Sequence, residues 1–440
     1  MSTSLTSISE KRSVVHADVP QMNASPWQRL CRKLLEATLS QLQFGALTLR
    51  EGSRVRTFGE AVEGLNATIE VHDASFYPAA AFFGSVGAGR SYMQGAWSSS
   101  NLTEVVQILS RNQVVLQRWS RGPASMIAPV LRAAHWLRRN TLHGSRRNIE
   151  AHYDLSNELF EQFLDPSMMY SCAYFESPGV TLEQASRAKL ERICHKLRLQ
   201  PEDHVLEIGT GWGGLAIYAA RNFGCRVTTT TISREQYDYA VARVRAAGLG
   251  DRVQVLLQDY RELTGTYDKI VSIEMIEAVG AEYLNTYLAT CNKLLAEDGA
   301  MMLQAIVIDD RRYEQAVGSV DFIKRYIFPG SFIPSVHRID QALREVTDLD
   351  CVHSEDITSH YAETLLRWKN NFQSNRDQIG RLGFDSEFQR MWEFYFAYCE
   401  GGFRERRIGN VQLLLTKPDW LGSIPSEYPS FEGMRWTSCF

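Results

Sequence analysis

The 440-residue chain is longer than one hydrophobic core usually serves, so two domains with tails are expected. Its apolar content is that of an ordinary globular protein, and a formal net charge of −4 gives no general attraction to nucleic acid. No run of about 18 apolar residues occurs, no signal-peptide core is visible, and eight cysteines without a CxxC pair argue against a disulfide frame or zinc site, so a cytoplasmic protein with reduced thiols is expected.

Residues 1–25 are Ser-rich and aperiodic, which predicts a flexible tail. Over 26–110, an amphipathic helix ("WQRLCRKLLEATLSQL"), strand-like alternation ("ATIEVHD") and the Gly-punctuated "FFGSVGAGRSYMQGAW" predict a small α+β domain. Residues 111–150 form a basic amphipathic connector with eight arginines, no lysine and one glutamate. Either those arginines are simply solvated, or the stretch lies on anionic lipid, where each basic residue contributes about 1 kcal/mol.

Residues 151–418 read as the main domain and 419–440 as a C-terminal tail. Near the start of this domain, "MMYSCAYFESPG" ends like a loop yet gathers methionines, aromatics and a thiol. From Pro201 the pattern is regular: "HVLEIG", "CRVTTTTI", "VQVLLQ", "DKIVSIE" and "AMMLQAIVI" are candidate strands with helical segments between them. Such alternation implies a doubly wound parallel sheet with ligands at the strand carboxyl ends. A long aromatic insertion follows, and "CVHSEDI" and "NVQLLLTK" bring the strands to seven.

Gly209-Thr210-Gly211-Trp212-Gly213-Gly214 follows the first of these strands and opens a helix, where glycines let a ligand approach the backbone. The loop alone fits a dinucleotide as well as S-adenosylmethionine. The second strand decides between them: it ends Thr229-Thr230-Thr231-Ile232-Ser233, without the acid that a dinucleotide ribose requires. Gln258-Asp259-Tyr260-Arg261 after the third strand supplies an acid and an aromatic for an adenine.

"HYDLSNELFEQFLDPSMMYSCAYF", "VLEIGTGWGG", "TTTISREQ", "LLQDYREL", "SIEMIEAVG" and "RYIFPGSFIPS", in this order, resemble the cyclopropane-fatty-acyl-phospholipid synthase family from about Arg147 to Lys417. "GSVGAGRSYMQGAW" is similar to that family's N-terminal domain. The resemblance implies a doubly wound, seven-stranded, Rossmann-like class I methyltransferase fold with a smaller, lipid-interacting N-terminal α+β domain. It implies methyl transfer from S-adenosylmethionine to a cis double bond in a phospholipid acyl chain, giving a cyclopropane. Peripheral contact with the inner, anionic membrane face is expected, and a homodimer is compatible with the sequence.

By the family's pattern, Tyr170, Ser171, Gly209, Gly211, Thr231, Gln236, Asp259, Tyr260 and Arg261 contact the cofactor. Bicarbonate is implied beside the methyl group, held at Cys172, Glu277, Gln304, the backbone of Ile306, and Tyr361. The sequence departs from the family at Gln304 and Ala278, where members carry histidine. An amide hydrogen-bonds an anion but does not share its proton.

An alkene is a weak nucleophile and its methylation leaves a carbocation, so the pocket must be dry. Tyr170, Tyr174, Phe175 and Tyr361 are the rings expected to face that cation. Cys399 is a rival catalytic candidate, with Arg404, Arg406 and Arg407 near enough in sequence to lower its pKa. Three alternatives stay open: a methylene or methyl-branched product, a non-lipid acceptor, and a lipid-binding scaffold without catalysis.

Overall fold

The computed structural model describes residues 23–61, 64–115 and 156–422. The first 22 residues, the connector from 116 to 150 and the tail beyond 422 lie outside the described residues. Helix α1 (Pro26–Leu39) opens with Pro26 in its first turn and a capping box in which Ser25 and Gln28 each satisfy the other's backbone N–H. A two-residue turn joins β1 (Ala46–Glu51) to β2 (Arg54–Phe58), and Gly52 there takes φ 56°. With β3 (Asn66–Val71) and β4 (Trp97–Ser98) they form a four-stranded sheet of order β2-β1-β3-β4, covered by α2 (Phe76–Met93) and α3 (Leu102–Arg111).

The large sheet holds β5 (His204–Ile208), β6 (Arg226–Thr231), β7 (Val253–Leu257), β8 (Tyr267–Ile273), β9 (Leu295–Ile308), β10 (Asp350–Asp356) and β11 (Ile408–Thr416). Their order is β10-β11-β9-β8-β5-β6-β7, so the chain reverses direction across the sheet beside β5. That crevice is where doubly wound folds bind their ligands. Around it lie α4 (Leu182–Lys196), α5 (Gly214–Phe223), α6 (Arg234–Ala246), α7 (Leu284–Leu294), α8 (Asp310–Val317), α9 (Val336–Val346), α10 (Thr358–Ser374) and α11 (Ser386–Arg404).

Two expectations need correction. The sheet is mixed, because β11 runs antiparallel to both β9 and β10. An apolar run carries no record of strand direction, and both edges of β11 are decided by the helices that return it. The connection from β7 to β8 also lacks a helix; a single 3-10 turn (Tyr260–Glu262) suffices.

The aromatic insertion after β9 turns inward. Phe322, Ile327 and Phe332 are buried, Phe328 lines a large apolar cavity, and Tyr326 and 329–331 are half-buried. Phe322 packs on α2, where a Cβ on Gly89 would sit 2.2 Å from its ring. α3 docks on α11 in the same way: a Cβ on Gly401 would lie 2.6 Å from Val106. Beside that contact, Thr103 and Lys369 donate to the buried Glu400 at 2.8 and 2.6 Å. One apolar core therefore runs from Leu47 and Trp97 in the small sheet to Phe160, Trp368 and Trp392 in the large domain. No described helix is long and apolar enough to cross a membrane.

Candidate active site

At the carboxyl ends of β5, β6 and β7, Tyr170, Ser171, Gly209, Gly211, Thr231, Gln236, Asp259 and Tyr260 line one crevice. Gly209 and Gly211 take φ 101° and 51°, which L side chains adopt only with strain, and so hold the loop open toward a ligand. Thr231, the last residue of β6, donates to Gln236 at 2.8 Å, and the strand ends without the carboxylate a dinucleotide site would need. Arg261 is not in the crevice lining. Its guanidinium grips Asp259 at 2.7 and 2.8 Å, which makes it a positioning residue for that acid.

Sequence reasoning missed two groups here. Glu207, inside β5, lines the crevice, accepts from Thr229, and is pushed up to about 8 by burial. Lys189 is fully buried beneath Ser171, to which it donates at 2.8 Å; burial lowers its pKa to about 8.

A second, mostly apolar cavity of about 630 Å³ extends from this point into the interface with the small sheet. Tyr170, Tyr361, Tyr395, Phe328 and Phe403 face it at one end, and Leu39, Leu47 and Leu49 at the other. The two cavities share Tyr170, Glu274 and Ala278. Tyr174 and Phe175 line neither of them. Tyr174 stacks on His360 beneath the Arg192 guanidinium, and the Phe175 N–H donates to His360.

At the junction stands Glu274, the residue immediately after β8, in the left-handed region at φ 50°. Its Oε1 accepts from the Cys172 N–H at 3.0 Å, Gln304 Nε2 at 2.8 Å and Asn410 Nδ2 at 2.7 Å, while Oε2 accepts from the Tyr361 hydroxyl at 2.6 Å. A non-glycine residue in this conformation is strained backbone, held in place here by four donors to its carboxylate.

Gln304 is aimed by a row across the sheet in which Glu355, Gln412 and Gln304 occupy paired positions on β10, β11 and β9. Lys196 donates to Glu355 and to Gln412 Oε1, and Gln412 Nε2 donates to Gln304 Oε1 at 3.0 Å. Every amide in the row therefore turns its NH₂ toward Glu274.

Glu277, one short turn later, accepts the Ile306 N–H at 2.5 Å, while its Oε2 is buried without a hydrogen-bond partner. Burial, reinforced by the nearby Glu274, pushes its pKa up to about 8. Of two neighbouring carboxyls, one is thus favoured neutral.

These contacts correct the bicarbonate expectation. The donors assigned to it at Cys172, Gln304 and Tyr361 all point at Glu274, and the Ile306 N–H is taken by Glu277. A protein carboxylate stands where the free anion would be held, so the residues present do not fit bicarbonate. The Cys172 thiol is buried against the Ala173 and Ile357 carbonyls, and burial drives its pKa well up; only its backbone takes part.

Cys399 lines the apolar cavity, but burial and then Asp321 raise its pKa. The three arginines are directed elsewhere: Arg404 to Glu400, Arg406 to Asp356, and Arg407 to the Ser110 carbonyl. Proximity in sequence did not become proximity of charge. Among the described residues, no His, Cys, Asp and Glu cluster is arranged to hold a metal ion.

Residues 140–413 match the mycolic acid cyclopropane synthetase family. The chain is 42% identical over 352 residues to a tuberculostearic acid methyltransferase of Mycobacterium tuberculosis, covering 76% of this chain and 79% of that protein. It is 35% identical over 364 residues to the cyclopropane-fatty-acyl-phospholipid synthase of Escherichia coli, covering 82% and 90%. Among solved structures, the mycolic acid cyclopropane synthase CmaA1 complexed with SAH and CTAB is similar at a TM-score of 0.58 and 30% identity, over 62% of this chain and 98% of that one.

Proposed function

The chain belongs to the mycolic acid cyclopropane synthetase family, S-adenosylmethionine-dependent methyltransferases of lipid acyl chains, and from that premise we propose that it methylates the cis double bond of an unsaturated phospholipid acyl chain, with Glu274 as the resident proton acceptor. The observation that carries this reading is the meeting of the two cavities. A crevice suited to S-adenosylmethionine opens, past Tyr170 and Glu274, into an apolar space suited to an acyl chain. A polar acceptor would gain little from such a lining.

S-adenosylmethionine supplies an electrophilic methyl group on sulfur. The alkene's π pair forms the new C–C bond while the C–S pair stays on sulfur, leaving a cation on the neighbouring carbon. Tyr170, Tyr361 and Tyr395 present rings to this region, each worth about 0.5–2 kcal/mol against a desolvated cation. The apolar walls exclude the water that would trap it. Glu274 then takes a proton from the added methyl, and the freed C–H pair closes the cyclopropane ring. Glu277, favoured neutral, brings no second negative charge to the site.

A methylene-branched product is the second reading, and Glu274 favours it. A carboxylate fixed by four donors cannot follow the methyl group as a diffusible anion can. A hydride can then move from the methylated carbon to the cation before the methyl gives up its proton, which leaves an exocyclic alkene. Both products gain one CH₂, so mass alone does not separate them. Proton NMR of chains extracted from cis-unsaturated phospholipid vesicles, after incubation with enzyme and cofactor, separates high-field ring signals from =CH₂ signals. Unmodified chains would overturn the proposal.

A further inference from the structure

The methylation chemistry leaves one part of the acyl cavity unused. Its far rim, lined by the exposed Gln315 and Ser319 and by Ser110 at the end of α3, carries two guanidiniums, Arg312 on α8 and Arg407 just before β11. Both side chains line the cavity and both residues are half-buried. Arg312 donates to the Arg407 carbonyl at 2.9 Å, and Arg407 donates through Nη2 to the Ser110 carbonyl at 2.5 Å. Arg407 Nε is buried with no hydrogen-bond partner.

Neither guanidinium forms an ion pair among the described residues. The acids nearby are engaged elsewhere: Asp309 with Arg311, Glu405 with Arg111 and Gln107, and Asp321 with the Lys324 N–H and Tyr398. Burial and then the charge of Arg407 lower the pKa of Arg312. Two like charges held together at the edge of an apolar space are costly unless an anion joins them. Guanidiniums suit phosphate oxygens in particular, through paired N–H donors.

We infer that Arg312 and Arg407 seat the phosphate of the phospholipid whose unsaturated chain fills the cavity. This rests on the acyl-chain reading above and adds to it a measure of length. Ile306 lines the cavity beside Glu277, and along the chain two strand residues, Asp309 and the first turn of α8 lead from it to Arg312, a path on the order of 10 Å. A head group anchored at one end of that span fixes which carbons reach Glu274. The arginine pair therefore selects the double-bond position as well as the head group.

The test compares wild type with R312Q/R407Q and R312K/R407K on vesicles of cis-unsaturated phosphatidylglycerol and, separately, on the free fatty acid. Removing both charges should raise KM for the phospholipid by at least about tenfold, with kcat and cofactor affinity little changed. The lysine pair keeps the charge without the paired donors and should recover part of the loss, whereas the glutamine pair, whose amides still donate to the two carbonyls and would suffice for a purely structural tether, should not. On vesicles of positional isomers, the glutamine pair should also discriminate less between double-bond positions. An unchanged KM overturns the inference, and so does equal loss on phospholipid and free acid, which would make the ligand a carboxylate. A wild type that methylates no acyl chain would instead overturn the proposed function, a separable outcome.

Discussion

Gln304 turns its amide nitrogen to Glu274 at 2.8 Å because its oxygen is already held by Gln412 at 3.0 Å, which is itself held by Lys196. The row has a cation at one end and a carboxylate at the other, so the orientation of both amides follows from charge. Gln304→Leu should leave the Gln412 amide and one lone pair of Glu274 unpaired in a buried site, at about 1–3 kcal/mol for each group. Thermal unfolding would register the loss, and turnover should fall further than cofactor affinity. Equal losses would reduce Gln304 to a structural residue.

Glu274→Gln should cut turnover by about 10²-fold or more, the usual contribution of a positioned base, while cofactor affinity by calorimetry changes little. Wild-type rates should not respond to removal or addition of bicarbonate, because the donors that would hold it are occupied. Glu274→Ala opens that space, and bicarbonate should then restore part of the rate in the variant alone. A wild type that slows in degassed, bicarbonate-depleted buffer would refute the assignment.

Glu277 carries a pH prediction. Its folded pKa of about 8 lies above the ordinary 4.5, so its neutral form is the one the fold favours. The contribution is complete below about 4.5 and fades as pH rises toward 8, because the unfolded chain releases the proton more readily. Glu277→Gln keeps a neutral side chain, so its thermal midpoint should gain on wild type steadily from pH 5 to 8. Parallel curves would mean that Glu277 is ionised in the fold.

Gly211→Val should weaken S-adenosylmethionine binding, and the reason is conformational. A Cβ there meets nothing within 4 Å, but the residue sits at φ 51°. The left-handed conformation costs an L residue roughly 1–2 kcal/mol, and more for a β-branched one, so the loop should relax away from the cofactor. Calorimetry finding wild-type affinity would show that the loop tolerates the strain.

Phe322→Ala tests how the small sheet is held to the large domain. The ring is fully buried against Gly89 and Phe394, so its loss should cost about 3–5 kcal/mol. Methyl transfer to an acyl chain should suffer more than cofactor binding, since the acyl cavity spans this interface and the cofactor crevice does not. Loss of cofactor binding in a folded variant would contradict that separation.

The sequence alone determined what depends on local chemistry. The strand and helix periods in 201–308 specified the alternating sheet, and the spacing of glycines after the first strand specified a ligand loop. The missing acid after "TTTTI" argued against a dinucleotide. Only the tertiary structure decided how charges pair. Glu274 was visible in "SIEMIEAVG", three residues before Glu277, but its four donors come from positions 172, 304, 361 and 410: strand register across β8, β9 and β11 places Gln304 and Asn410, and the packing of α10 and the loop before α4 adds Tyr361 and Cys172. Tertiary contacts likewise took Arg404 to Glu400, Arg406 to Asp356 and Arg407 to the Ser110 carbonyl, and set Arg407 beside Arg312, 95 residues distant in sequence. Hydrogen bonds and ion pairs act over a few ångströms, and sequence spacing fixes such distances only within one turn or one strand.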